Sequence, residues 1–177
     1  MNGEVVAVPK GLSLLATMGL TAQVNRFAWS RDGDLVGCAC EDGTVRIYNR
    51  SGQLMREIAC GHGPILDIAW SNDGEAIAGG CADGAVRVYE ALSGCMASEL
   101  RGHTLPVLSV TFGVSPSVLI SASADGSIRV WDVTSGSVIQ SPIGHGAAVH
   151  QVALSPDLEY LELVPFGCIF TQDWYSE

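Results

Sequence analysis

Lysine is almost missing from this chain: Lys10 is the only one, and nine basic side chains face nineteen acidic ones, for a net charge of −10. Binding through phosphate neutralisation needs clustered Lys and Arg, so no direct nucleic-acid partner is expected. No segment reaches the roughly 18 apolar residues of a membrane span, and the ten-residue apolar stretch 11–20 falls well short. No membrane association is expected. A phosphate-cradling G-x-x-x-x-G-K loop is impossible when the one lysine follows a proline, and a G-x-S-x-G nucleophile elbow is absent. No C-x-x-C pair occurs and no histidine stands at ligand spacing from two cysteines, which leaves no zinc site to expect. The chain therefore reads as a non-enzyme with no catalytic residue, no metal and no cofactor.

What is present is a period. Asp42-Gly43, Asp83-Gly84 and Asp125-Gly126 stand 41 and 42 residues apart, and Tyr48-Asn49, Tyr89-Glu90 and Trp131-Asp132 follow at a fixed offset. Gly61-His62, Gly102-His103 and Gly144-His145 keep the same spacing, as do Ser51-Gly52, Ser93-Gly94 and Ser135-Gly136. The cysteines track this period too. Cys40, Cys81 and Ser123 each lie two residues before the turn aspartate, and Cys38, Gly79 and Ser121 four before it. These are slots for small buried side chains, in which a free cysteine acts as a small hydrophobe.

A repeat of about 40 to 45 residues bounded by Gly-His and Trp-Asp resembles the WD40 family, whose unit is a four-stranded propeller blade. The third unit carries the resemblance best, through Gly102-His103, Val107, Val110 and Phe112 and then the run from Leu119 to Asp132. The resemblance covers roughly residues 14 to 157 and implies an all-β, partial WD40-type β-propeller. It divides into an N-terminal segment 1–19 with an outer-strand candidate at Leu14 to Thr17, repeats at 20–60, 61–101 and 102–143, and a degenerate or truncated repeat at 144–177. Apolar runs between Gly-containing turns predict strands at 23–29, 34–40, 44–49, 64–70, 75–81, 85–90, 106–112, 117–123 and 127–132.

The family resemblance also implies a hydrogen-bonded set of His, Ser or Thr, Asp and Trp within a blade. In the third unit the matching residues are His103, Ser121 or Ser123, Asp125 and Trp131; the second unit offers His62, Asp83 and Tyr89 with no hydroxyl; the first keeps only Asp42 and Tyr48. Arg46, Arg87 and Arg129 recur two residues before the aromatic and are read as pairing with a turn carboxylate or a neighbouring blade. His150, outside the Gly-His positions, has no nucleophile motif near it.

After Pro156 the pattern fades, with Phe166 where the turn aspartate belongs and Gln172 where the Trp belongs. Propellers typically close with about 4 to 8 blades. The expectation is an incomplete ring that recruits further propeller blades or self-associates. The resemblance implies a non-catalytic scaffold for protein–protein interaction and complex assembly, the alternative being a substrate-recognition or targeting subunit of a ubiquitin ligase or chromatin-modifying assembly. Partner-facing positions on the Gly-His side would be Glu41, Gly63, Pro64, Ala82, Thr104, Leu105, Ala124, Gly146 and Ala147. An intracellular location is expected, in the cytoplasm first and the nucleus second.

Overall fold

The computed structural model describes residues 22–61, 63–144, 146–154 and 161–165, and among them every regular element is a β-strand. Blade 1 is built of β1 (Val24–Trp29), β2 (Leu35–Cys40), β3 (Thr44–Asn49) and β4 (Leu54–Ala59). Blade 2 follows with β5 (Ile65–Trp70), β6 (Ala76–Cys81), β7 (Val86–Glu90) and β8 (Met96–Leu100). Blade 3 has β9 (Val107–Phe112), β10 (Val118–Ser123), β11 (Ser127–Asp132) and β12 (Ser137–Gly144), and a fourth sheet pairs β13 (Val149–Leu154) with β14 (Leu161–Pro165). Each blade is an antiparallel meander with its strands in chain order. The inner strands β1, β5, β9 and β13 lie side by side in succession.

The nine strands expected from apolar runs form within a residue or so of their predicted bounds. The outer strands β4 and β8 escaped that reading because their positions are mostly exposed or half-buried, so no apolar alternation marks them. The fading pattern after Pro156 also conceals a strand, since β14 pairs antiparallel with β13. The expected outer strand at Leu14 to Thr17, the segment 1–19, and Phe166 and Gln172 lie outside the described residues.

Burial follows the junctions between blades. Ala39, Val45 and Ile47 of blade 1 pack with Ile68, Trp70 and Ile77 of blade 2, while Val86, Val88 and Leu100 of blade 2 pack with Val110, Leu119 and Trp131 of blade 3. Ile120, Ala122 and Ile128 meet Val149 and Val152 of the fourth sheet. Sheets covered on both faces read as small-residue runs rather than strict alternation, as in Ala76–Cys81. The approach is close enough that a Cβ at Gly37 would sit 2.5 Å from Ile77 Cδ1.

Polar contacts also tie the inner strands. Asp67, buried on β5, accepts from Arg26 Nε of blade 1 at 3.1 Å and from the Val110 amide of blade 3 at 2.9 Å. Ser109 repeats that role one blade on, accepting from the Val152 amide at 3.4 Å. Each inner strand carries a register shift at the same place, between Val24 and Arg26, Ile65 and Asp67, Val107 and Ser109, and Val149 and Gln151. His150 is the residue skipped by that shift in β13, where it takes the position held by Asn25, Leu66 and Leu108 in the other blades.

Candidate protein interaction surface

The turns Asp42-Gly43, Asp83-Gly84 and Asp125-Gly126 stand at one end of the blades, each against the loop that enters the next blade. Their glycines have φ of 79°, 84° and 79°, the left-handed region that disfavours a side chain. A Cβ there would also come within 2.8 Å of Gly63 O, 2.9 Å of His103 O and 3.0 Å of Ala147 O. Within each blade a main-chain bond ties the turn to that blade's own entry loop: the Ala82 amide donates to Pro64 O and the Ala124 amide to Pro106 O, both at 3.0 Å. Thus Glu41, Ala82 and Ala124 share one end of the array with Gly63, Pro64, Thr104, Leu105, Gly146 and Ala147. Glu41, Gly63, Thr104, Leu105, Gly146 and Ala147 are exposed there, whereas Pro64, Ala82 and Ala124 are half-buried. Leu105, at 49% exposure, is the large apolar side chain among them.

Beneath this end in blade 3 runs a chain of hydrogen bonds. Trp131 Nε1 donates to Ser121 Oγ at 2.8 Å, and Ser121 Oγ lies 2.7 Å from His103 Nε2. His103 Nδ1 is 3.1 Å from Asp125 Oδ2, which also accepts from the Thr104 amide at 3.0 Å. A single proton placement satisfies the chain: Nδ1–H donates to the carboxylate, so Nε2 accepts the Ser121 proton and leaves Ser121 Oγ to accept from the indole. The imidazole and indole meet edge-on, with ring centroids 6.0 Å apart. Of the two candidate hydroxyls Ser121 joins this chain, while Ser123 Oγ donates to Leu105 O at 3.0 Å and accepts from the Asp125 amide at 3.1 Å. The network thus fixes the backbone of Thr104 and Leu105 from below.

Blades 1 and 2 use their turn aspartates differently. Asp83 is held by Arg87, with Nη2 at 2.6 Å from Oδ2, and the same arginine reaches Glu99 on β8 at 2.9 Å. Asp83 is therefore an arginine acceptor, and His62 lies outside the described residues. Tyr89 is buried, and burial together with a hydrogen bond to the Cys60 thiol pushes its hydroxyl upward in pKa. Arg46 pairs likewise with Asp42 and with Glu57, both at 2.8 Å. Arg46 and Arg87 thus use turn and outer-strand carboxylates of their own blade, not of a neighbouring one. Among the described residues Arg129 has neither: Asp125 is bound to His103 and Ser127, and Arg129 Nε is buried with no hydrogen-bond partner. Its guanidinium lies 5.8 Å from the Trp131 ring centre. The sequence showed the arginine but not which blades would supply it with acids.

Burial outweighs the Asp125 charge and pushes the His103 imidazole below its ordinary pKa. Burial also opposes ionisation of Asp125, but the Ser127 hydroxyl and the Thr104 and Ser127 amides hold its carboxyl far below the ordinary range. In both cases the unfolded chain binds more protons in acid than the folded one. The resulting stability is fully present above the unfolded values, about 6.5 for His, and is lost as pH falls through the folded ones. The urea midpoint of the wild type will therefore fall between about pH 7.5 and about pH 5, and that of His103→Gln will fall less, because the imidazole titrates in that window. Identical slopes would remove His103 from the account.

Cys38, Cys40, Cys60 and Cys81 are free and buried, and burial pushes the Cys81 thiol up to about 11. A thiol shifted upward in this way is a poor nucleophile at neutral pH. Among the described residues no group of three or more His, Cys, Asp or Glu is placed to hold a metal. A rim groove of about 650 Å³ between blades 1 and 2 is lined by Arg56, Glu57, Cys60, Tyr89, Met96 and Arg101 among others. Its arginines and glutamates largely neutralise one another.

The WD40 family model, described as WD domain, G-beta repeat, matches residues 13–49, 52–90 and 94–132, more than half of the chain. The chain belongs to the WD40 repeat family. The matched units end where β3, β7 and β11 end, so the second and third each join the outer strand of one blade to three strands of the next. This offset ties successive WD40 blades covalently. Two solved structures share the fold with a TM-score of 0.70 and 76% of this chain covered: the structure of U3-55K at 24% identity and the crystal structure of RRP9 WD40 repeats at 26%. The chain spans 43% and 42% of their lengths. No curated protein sequence matches it significantly.

Proposed function

We propose that this WD40 chain is a non-catalytic platform for assembling other proteins, with its partner surface at the blade end that carries Glu41, Thr104 and Leu105. WD40 repeats are in general protein–protein interaction modules, and one observation here carries the reading. Turns and entry loops are pinned by main-chain bonds within blades and by tight glycine contacts across three junctions, giving a composite, rigid surface. Free buried cysteines suit a reducing compartment, which favours an intracellular and first of all cytoplasmic site of action.

Quantitative affinity purification tests this. Leu105→Asp combined with Glu41→Arg should lose the partner set that the wild type retains, while Met96→Asp on the exposed outer strand should keep it. Equal recovery by all three proteins would move the partner surface elsewhere. Recovery of ubiquitin-ligase or histone-modifying subunits would make the chain a targeting subunit, the second reading that the family allows.

A further inference from the structure

Among the described residues, Arg129 differs from its two counterparts in having no acid. Arg46 Nε donates to Glu57 on β4 at 2.8 Å and its Nη2 to Asp42 at 2.8 Å; Arg87 Nε donates to Glu99 on β8 at 3.0 Å and its Nη2 to Asp83 at 2.6 Å. Each guanidinium thus holds one carboxylate of the outer strand and one of the turn. Blade 3 supplies neither. β12 reads Ser-Val-Ile-Gln-Ser-Pro-Ile-Gly, with no acidic residue to stand where Glu57 and Glu99 do, and Asp125 turns to His103 and Ser127. Arg129 Nε is the only buried side-chain nitrogen or oxygen of the described residues with no hydrogen-bond partner. The Trp131 ring, 5.8 Å away, gives the charge a cation–π contact but gives Nε no acceptor. A buried donor left unpaired costs its hydration, so the stability of the blade does not explain this side chain.

The way to the guanidinium lies at Gly102. A Cβ on that residue would stand 3.0 Å from Arg129 Nη1 and 3.1 Å from Trp131 Cη2, so the glycine puts no side chain over this end of the arginine. Gly102 is exposed and Arg129 as a whole is half-buried. From Gly102 the chain runs through His103 to Thr104 and Leu105, both exposed at the loop end. The approach therefore opens beside the surface assigned to partners.

We propose that Arg129 is a recognition site for one Asp or Glu side chain of a partner protein, carried on a segment that also meets Thr104 and Leu105. This assignment rests on the partner surface proposed above. The carboxylate reaches the guanidinium beside Gly102 and supplies the acceptor that blade 3 lacks. The repeat itself selects a carboxylate, because the same arginine in blades 1 and 2 donates to carboxylates through Nε and Nη2 at 2.6 to 3.0 Å. The planar fork of donors suits that group, and charge-assisted bonds of this kind are the strong ones. Net charge limits the partner further. A chain at −10 repels a polyacidic tract as a whole, so the acid belongs to a segment that is otherwise uncharged or basic, and Leu105 offers it an apolar neighbour.

Magnetic resonance titration of the full chain tests this, with acetyl-Ala-Ala-Glu-Ala-Ala-amide as the probe. The Arg129 Nε–H signal, identified by its loss in Arg129→Met, should shift and saturate with the Glu peptide, and the Gln counterpart should bind about tenfold more weakly. Gly102→Ala, which narrows the approach and leaves the arginine in place, should weaken the Glu peptide as well. Arg129→Met should leave the urea midpoint unchanged or raise it, because it keeps an apolar stem and removes an unpaired donor. A midpoint lowered as far as that of Arg87→Met would show that the fold already provides Arg129 with an acid, and the proposal would fall. Equal binding of the two peptides, or tighter binding of inorganic phosphate than of the Glu peptide, would overturn it too. Should the peptide fail while Leu105→Asp with Glu41→Arg still loses the partner set, only the Arg129 assignment falls; should the peptide bind while that variant keeps its partners, the surface reading falls instead.

Discussion

Trp131→Ala will lower the stability of the chain by about 3 to 5 kcal/mol, more than Tyr48→Ala does. Both aromatics are buried, at 1% and 5% exposure, and they hold the same position in their blades. Trp131 sits in the junction core with Val110, Phe112 and Leu119, and its indole also anchors Ser121, which in turn anchors His103. Removing it opens a large cavity and loosens a buried polar chain whose members then lose partners. Tyr48 lies in a small cluster with Val36, Cys38 and Cys40 and, among the described residues, takes no part in such a chain. Ser121→Ala separates the two contributions, since it keeps the indole volume and removes its acceptor, at an expected cost of about 1 to 3 kcal/mol. Urea melts of the three variants give the answer, and a Tyr48→Ala shift as large as that of Trp131→Ala would sink the network argument.

Arg87→Ala is expected to cost about 2 to 4 kcal/mol and Arg46→Ala about 1 kcal/mol, although the two arginines occupy the same place in successive blades. Arg87 is 1% exposed, and its acids Asp83 and Glu99 have side chains only 27% and 28% exposed. Deleting it strands the Asp83 carboxylate with limited access to water, while Glu99 keeps Arg101 at 2.8 Å. Arg46 binds Asp42 and Glu57, whose side chains are 37% and 50% exposed, so water takes over much of the lost pairing. A double-mutant cycle with Asp83→Asn should recover part of the Arg87 loss by removing the stranded charge. Equal midpoint shifts for Arg87→Ala and Arg46→Ala would show that exposure of the acids does not set the cost.

By itself the sequence determined the repeat and the strand-and-turn plan within each unit, while the polar set of His103, Asp125 and Trp131 was expected from the family resemblance. Turn chemistry and period are local properties: a glycine that must take positive φ, or an apolar run between two turns, is written in neighbouring residues. Outer strands β4 and β8 were not legible, because a half-solvated strand needs no apolar alternation. Tertiary structure decided which partner each repeated residue would find. Asp83 and Asp125 read alike, each with an arginine four residues on, yet Asp83 binds that neighbour, Arg87, while Asp125 binds His103 from a loop 22 residues back. It also decided that Phe27 and Trp29 stand open where Ile68 and Trp70 are covered. Coverage belongs to the neighbouring blade rather than to the strand, and a strand's own letters do not record its neighbour.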